Sequence, residues 1–267
     1  MDLHKYLYRI GFKGSKMPLA NLETLRLLHY AHMNQVPFEN LDIHYNRYIE
    51  VDIEMFYQKI VNENRGGFCF ELNGLFNWAL RQLGFDVIIL AAAVINDQGD
   101  YGIPLGHLTN LVTLEGKRWL VDVGFGDNFV YPIEFVPDKV QVQKGRYYCL
   151  KQLDETYYQY AVSDDEGANY KHWWKFTLIP RQLDDFKDAC HYMQTSPDTH
   201  FTHNRVCSVS TPKGRITLSD LNFKTRVGKE QTVVALADEQ EFLRVLQKQF
   251  SIVLHQPYQP PFGIKAK

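Results

Sequence analysis

The chain has 267 residues, 45% hydrophobic and 22% charged, with 29 basic side chains against 31 acidic ones. That length can bury a substantial core in one large or two to three small domains, and the balance of charge excludes an electrostatic platform for nucleic acid or an anionic membrane. No apolar run approaches membrane-spanning length, Met1-Asp2-Leu3-His4-Lys5-Tyr6 lacks the blocks of a signal peptide, and four cysteines without Cys-x-x-Cys spacing point to a reducing cytoplasm.

Up to about Gly84 the periodicity is helical. Leu22, Leu25, Leu28 and His32 follow Asn21, and Ile53, Phe56, Tyr57 and Ile60 follow Asp52, both good N-caps. A third helix is predicted from Cys69 through Leu72, Leu75, Phe76, Ala79 and Leu83, stopped by Gly84. Cys69 stands at its start behind Arg65-Gly66-Gly67-Phe68 and shares the inward face with Leu72. There the unpaired N–H groups and the positive end of the helix dipole favour a thiolate. Cys69 also suits small core filling.

From Phe85 the texture turns to β, with Val87-Ile88-Ile89-Leu90, then Leu105 to Leu114 and Lys117 to Val123 joined at Glu115-Gly116 as a hairpin. Pairing Leu114 with Lys117 sets Asp122 opposite Thr109 and makes His107 its diagonal neighbour on the same face, within reach of a hydrogen bond. Strand histidines and aspartates before a glycine also have plain structural uses, but a carboxylate after the apolar run Trp119-Leu120-Val121 needs a partner. Further runs near 140 to 151, 156 to 163 and 172 to 179, with turn clusters such as Asn96-Asp97-Gln98-Gly99-Asp100, indicate an antiparallel barrel or sandwich. A helix around Leu183, Phe186, Ala189 and Tyr192 leads to a last segment. It holds a hairpin at Thr211-Pro212-Lys213-Gly214, two more strands, and a helix after Asp238 with Phe242, Val245 and Leu246.

Other patterns carry little chemistry. Gly124-Phe125-Gly126 lacks the third glycine of a dinucleotide loop. His200 and His203 have no companion in ligand spacing, so no metal is expected. Glu71 and Asn73 read as structural, holding the helix start or the hairpin.

The stretch Arg65-Gly66-Gly67-Phe68-Cys69-Phe70-Glu71-Leu72-Asn73 resembles the signature of the arylamine N-acetyltransferases of bacterial type. Three more segments agree: Val36 to Leu41, Gly106 to Val112 and Trp119 to Gly126. The resemblance implies an α+β fold, with an N-terminal helical bundle at 1–84, a central antiparallel β-barrel at 85–195 and a C-terminal α/β lid at 196–267. It implies a Cys69, His107 and Asp122 triad of cysteine-protease or transglutaminase-like arrangement. The activity implied is ping-pong transfer of acetyl from acetyl-CoA, as co-substrate, to small arylamines and hydrazines, extending to O-acetylation of N-hydroxyarylamines. An acyl-enzyme must be shielded from water, and Phe38, Val94, Phe125 and Phe129 are candidates for apolar, substrate-binding walls. The Gly102 to Leu105 loop, with Ile103 and Pro104, is the implied coenzyme A contact. Three rivals remain open: a cysteine hydrolase or transglutaminase-like enzyme, an amide synthase taking a carrier-bound acyl group, and a binding protein with an inert thiol.

Overall fold

The N-terminal segment is helical because its apolar side chains recur at helical spacing behind strong caps. In the computed structural model, which describes residues 1–267 apart from Lys13, Ser15, Asp97, Pro260 and 262–267, it holds α1 (Leu3–Arg9), α2 (Leu22–Gln35), α3 (Leu41–His44), α4 (Ile53–Tyr57) and α5 (Cys69–Gln82). Asn21 accepts from the Thr24 N–H at 2.8 Å and Asp52 from the Glu54 N–H at 2.8 Å, so both predicted caps are in place. After α4 the chain widens into a π-helical turn, Gln58–Asn62, a departure from the helical repeat expected there. The short strand β1 (Phe38–Glu39) also lies in this segment.

The middle of the chain forms β2 (Asp86–Val94), β3 (His107–Leu114), β4 (Lys117–Val121), β5 (Ile133–Glu134), β6 (Gln141–Gln143), β7 (Arg146–Gln152), β8 (Tyr158–Ser163) and β9 (Lys171–Phe176). They make an eight-stranded antiparallel sheet in the order β5-β4-β3-β2-β9-β8-β7-β6, curled into a nearly closed barrel. Its edges, β5 and β6, meet through side chains. Gln141 accepts from the Glu134 N–H and donates to its carbonyl, both at 2.9 Å, and Gln143 does the same for Tyr131. Of the turn cluster at 96–100, Asp97 lies outside the described residues.

Alternation along β2 and β3 assigns each face. Val87, Ile89, Ala91, Leu108 and Val112 pack against the helices, whereas Leu90, Ala92 and Leu111 join Tyr160, Trp174 and Phe176 inside the barrel. The unbroken apolar run of β2 is thus a strand covered on both sides. The β3–β4 hairpin has the predicted register, Leu114 opposite Lys117, and Glu115 and Gly116 both take positive φ, as a two-residue hairpin turn requires.

A 3₁₀ turn at Leu183–Phe186 and α6 (Lys187–Thr195) follow, and Phe186, Ala189 and Cys190 pack into the helical core. Then come β10 (Val206–Thr211), β11 (Gly214–Ser219), β12 (Asn222–Val227), β13 (Glu230–Ala235) and α7 (Glu239–Phe250), whose Phe242 and Leu246 cover one sheet face. One outer strand of this sheet is β1, with Phe38 paired to Ser208 and Glu39 to Cys207, so the helical segment contributes an edge to the C-terminal sheet. Among the described residues no helix is long and apolar enough to cross a membrane.

Candidate active site

Cys69 is the first residue of α5 and is 4% exposed. Phe68, at the N-cap, has no side-chain oxygen to offer, so the first-turn N–H groups of the helix have no side-chain cap. The two preceding glycines answer to crowding. A Cβ on Gly66 would stand 2.1 Å from the Pro37 carbonyl oxygen, where the 65–69 segment runs against β1.

The helix start rests on buried charge. Glu71 accepts from the Phe68 N–H at 3.0 Å and from Lys59 Nζ at 2.9 Å. The Lys59 ammonium also pairs with Asp42 at 2.9 Å, and Arg65 bridges Asp42 and Glu39, both at 2.8 Å. Burial pushes the Glu71 carboxyl up to about 7 against the pull of Lys59. Glu71, read from sequence as structural, holds the N-terminal turn in place.

The hairpin brings His107 and Asp122 together, with Nε2 of the imidazole 2.6 Å from Oδ2. Asp122 is fully buried and its other oxygen accepts from Asn73 Nδ2 at 3.1 Å and the Gly124 N–H at 2.9 Å. Asn73 also donates to the Leu108 carbonyl at 2.6 Å and accepts from the Val123 N–H at 2.8 Å, pinning α5 to both strands. Burial alone would lower the His107 pKa. The Asp122 charge, with hydrogen bonds to Asp122 and Cys69, reverses that and raises it to about 10. Since Nε2 is engaged by the carboxylate, Nδ1 is the nitrogen left for the thiol.

His29 is a supporting residue that the sequence did not reveal. Its Nδ1 lies 3.0 Å from the Val130 carbonyl and its Nε2 3.3 Å from the Asp122 N–H. A carbonyl can only accept and an amide N–H only donate, so the ring is the neutral Nδ1–H tautomer. Burial, lowering its pKa to about 4, keeps it neutral. The available signal was two histidines, His29 and His32, on the covered side of α2.

Cys69 and His107 lie at the floor of a cavity of about 940 Å³. Phe38, Val94, Phe125 and Ile103, all named from the sequence, are in its lining. Phe125 stands edge-on to His107 and to Trp173, each with ring centroids 5.0 Å apart. Trp173, Met193 and Phe201 are apolar walls that sequence reasoning missed, because nothing local ties those segments to the thiol. Two expectations need correction. Phe129 does not face the cavity: it is fully buried in the barrel, stacked on His29 at 5.5 Å and edge-on to Tyr160 at 5.7 Å. Its position four residues beyond Phe125 turns inward because Asn128 is itself buried and bonded to the Tyr160 hydroxyl at 2.6 Å. Pro104 is exposed and outside the lining, whereas its neighbour Ile103 belongs to it. Among the described residues no His, Cys, Asp and Glu group is arranged to hold a metal.

Comparison with known proteins agrees with this geometry. The N-acetyltransferase family profile matches residues 21–258. The chain is 33% identical over 287 residues to arylamine N-acetyltransferase 1 of Bos taurus, covering 99% of each. It is 34% identical over 284 residues to a pineal gland isozyme of Gallus gallus, covering 97% of each. Among solved structures it is similar to the Salmonella typhimurium arylamine N-acetyltransferase, with a TM-score of 0.86, 30% identity, and 94% of this chain and 90% of that one covered. The Mycobacterium marinum enzyme, solved in complex with CoA, gives a TM-score of 0.84 at 26% identity, with 94% and 93% covered. The likeness spans vertebrate and bacterial proteins alike.

Proposed function

The chain belongs to the arylamine N-acetyltransferase family, and from that premise we propose that it carries acetyl from acetyl-CoA to arylamines and hydrazines through an acetyl-Cys69 intermediate. One observation carries the reading: a cysteine at an uncapped helix start lies beside an imidazole whose far nitrogen is held by a buried carboxylate. His107 Nδ1 takes the Cys69 proton, and the thiolate attacks the thioester carbonyl. The Cys69 N–H, pointing from the helix end, donates to the oxyanion of the tetrahedral intermediate. Collapse expels coenzyme A, which takes the proton from His107, and leaves a thioester on the enzyme. The amine then attacks this thioester, His107 accepts its proton, and Cys69 departs as thiolate. Asp122 fixes the imidazole tautomer and balances its cation throughout. An N-hydroxyarylamine would enter the same second step through its oxygen. Gly102 and Ile103 of the 102–105 loop both line the cavity, which supports a coenzyme contact there.

The test is intact mass spectrometry of the protein mixed with acetyl-CoA without an amine. One acetyl group should appear, map to Cys69 rather than Cys149, Cys190 or Cys207, and vanish on addition of an arylamine. No adduct, together with peptide cleavage, would instead select a cysteine hydrolase.

Phe125 offers a second check. Phe125→Ser removes an apolar wall from the acceptor side, while the acetyl group is too small to need it. Relative kcat/KM among arylamines should shift roughly tenfold, with acetyl-enzyme formation little changed. A loss confined to acetylation would place Phe125 at the coenzyme.

A further inference from the structure

Three arginines converge on one carboxylate in the wall of the cavity. Asp127, three residues beyond Gly124, accepts two hydrogen bonds from Arg226 at 2.8 and 2.7 Å, one from Arg146 at 3.0 Å, and lies 3.3 Å from Arg215 Nε. Arg146 also pairs with Asp164. Three guanidiniums against two carboxylates leave a net positive charge. Arg215 is 6% exposed, and its two Nη groups reach only the hydroxyls of Ser208 and Ser210, at 2.9 and 2.7 Å. Lys224 lines the same cavity and its ammonium has no hydrogen bond or ion pair among the described residues. Arg215, Arg226 and Thr217 line it too.

A buried cation without full compensation is costly in low dielectric. Burial, with repulsion from Arg226 and Arg146, outweighs the attraction of Asp127 and lowers the Arg215 pKa to about 10. A further anion would relieve that imbalance, and each planar guanidinium keeps donors beyond those Asp127 and the serines occupy.

Distance selects the anion. Gly124 abuts the backbone of Cys69, since a Cβ there would stand 2.8 Å from the Cys69 Cα. The chain from Gly124 to Asp127 spans at most about 10 Å fully extended, and less with Gly126 turned at φ 77. An aromatic ring with an amine at one end and an acid at the other fits that interval. The phosphates of coenzyme A, held away from its thioester by the long pantetheine arm, overshoot it. We propose that Arg215, Arg226 and Lys224 form an oxyanion subsite that holds the carboxylate of an acidic arylamine while its amine faces Cys69. This inference rests on the acetyl-transfer reading and makes Arg226 and Lys224 specificity-determining residues for it.

The experiment prepares the acetyl-enzyme with 4-nitrophenyl acetate, a donor without phosphates. It then measures deacetylation by 4-aminobenzoate and by its neutral counterpart 4-aminobenzamide. Arg226→Gln should lower the ratio of the two kcat/KM values roughly ten- to a hundredfold. Arg226→Lys should restore part of it. Lys224→Gln, an exposed position whose loss leaves no partner stranded, should give a smaller fall and keeps the test valid if Arg226→Gln unfolds. An unchanged ratio in both glutamine variants overturns the subsite. A raised KM for acetyl-CoA with an unchanged ratio assigns the cations to the coenzyme and overturns it too. If no acetyl-enzyme forms, the transfer reading fails by itself. Calorimetric binding of 4-aminobenzoate then decides the subsite: weaker binding in the variants supports it, and equal binding overturns it.

Discussion

Asp122→Asn is expected to lower turnover by roughly 10² to 10⁴ while leaving the fold in place. The substitution keeps the size of the side chain and turns one of its two acceptors into a donor. Asn73 and the Gly124 N–H both donate to Oδ1, so the amide oxygen stays there and the NH₂ faces His107 Nε2. That nitrogen must then accept, the ring proton moves to Nδ1, and the imidazole can no longer take a proton from the thiol. The pH dependence follows from the same contact. With its pKa raised to about 10, His107 adds stability that is fully present below its ordinary value of 6.5 and lost as pH rises through about 10. In the variant burial acts unopposed by the carboxylate and the imidazolium should disappear at lower pH. Side-chain NMR of ¹⁵N-histidine-labelled protein reads this directly. A His107 titration that Asp122→Asn leaves unmoved would falsify the electrostatic role assigned to the carboxylate.

Lys59→Met should destabilise the protein by about 3 to 5 kcal/mol, because it leaves buried carboxylates without their shared cation. The ammonium lies within 2.9 Å of both Asp42 and Glu71 and 3.8 Å from Glu39, and Arg65 is the other buried cation in the group. The deficit should depend on pH in one direction. Burial holds the Glu71 carboxyl at about 7, above its ordinary 4.5, so its contribution is greatest in acid and declines as pH rises through about 7. Without Lys59 the carboxyl goes higher still. Asp42 stays below its ordinary value, because Lys59 and Arg65 outweigh its burial, so its own contribution is lost only well below pH 5 and Glu71 sets the difference between the two conditions. Urea unfolding at pH 5 and pH 8 should therefore show the larger loss at pH 8. Equal midpoints, or a larger loss at pH 5, would contradict the account.

The parts of this site that could be read in the sequence are those fixed by local periodicity. Helical spacing behind Gly66-Gly67 placed Cys69 at the start of α5, and the two-residue turn at Glu115-Gly116 set the β3–β4 register that brings His107 to Asp122. Interactions between distant segments were not legible. Lys59 reaches the helix start only through the π-helical turn, which has no clear propensity signal. His29 meets Asp122 across the helix–barrel interface, and Arg226 meets Asp127 across two sheets. Phe129 illustrates the limit well: its segment is an irregular loop with no periodicity to tell that Phe125 lines the cavity while Phe129 is fully buried in the barrel. The strand pairing of Phe38 with Ser208 likewise required the whole chain.

That pairing has a consequence for synthesis. Val206, which donates to Asn40, lies 166 residues downstream of it. At roughly 5 to 20 residues per second a ribosome needs on the order of ten to thirty seconds to cover the gap. Cys69 leaves the ribosome well before the sheet that roofs it, which begins at β10. In that interval a nascent Cys69 is open to oxidants and electrophiles of any size. Once β10 has docked on β1, only molecules that can enter the cavity reach it.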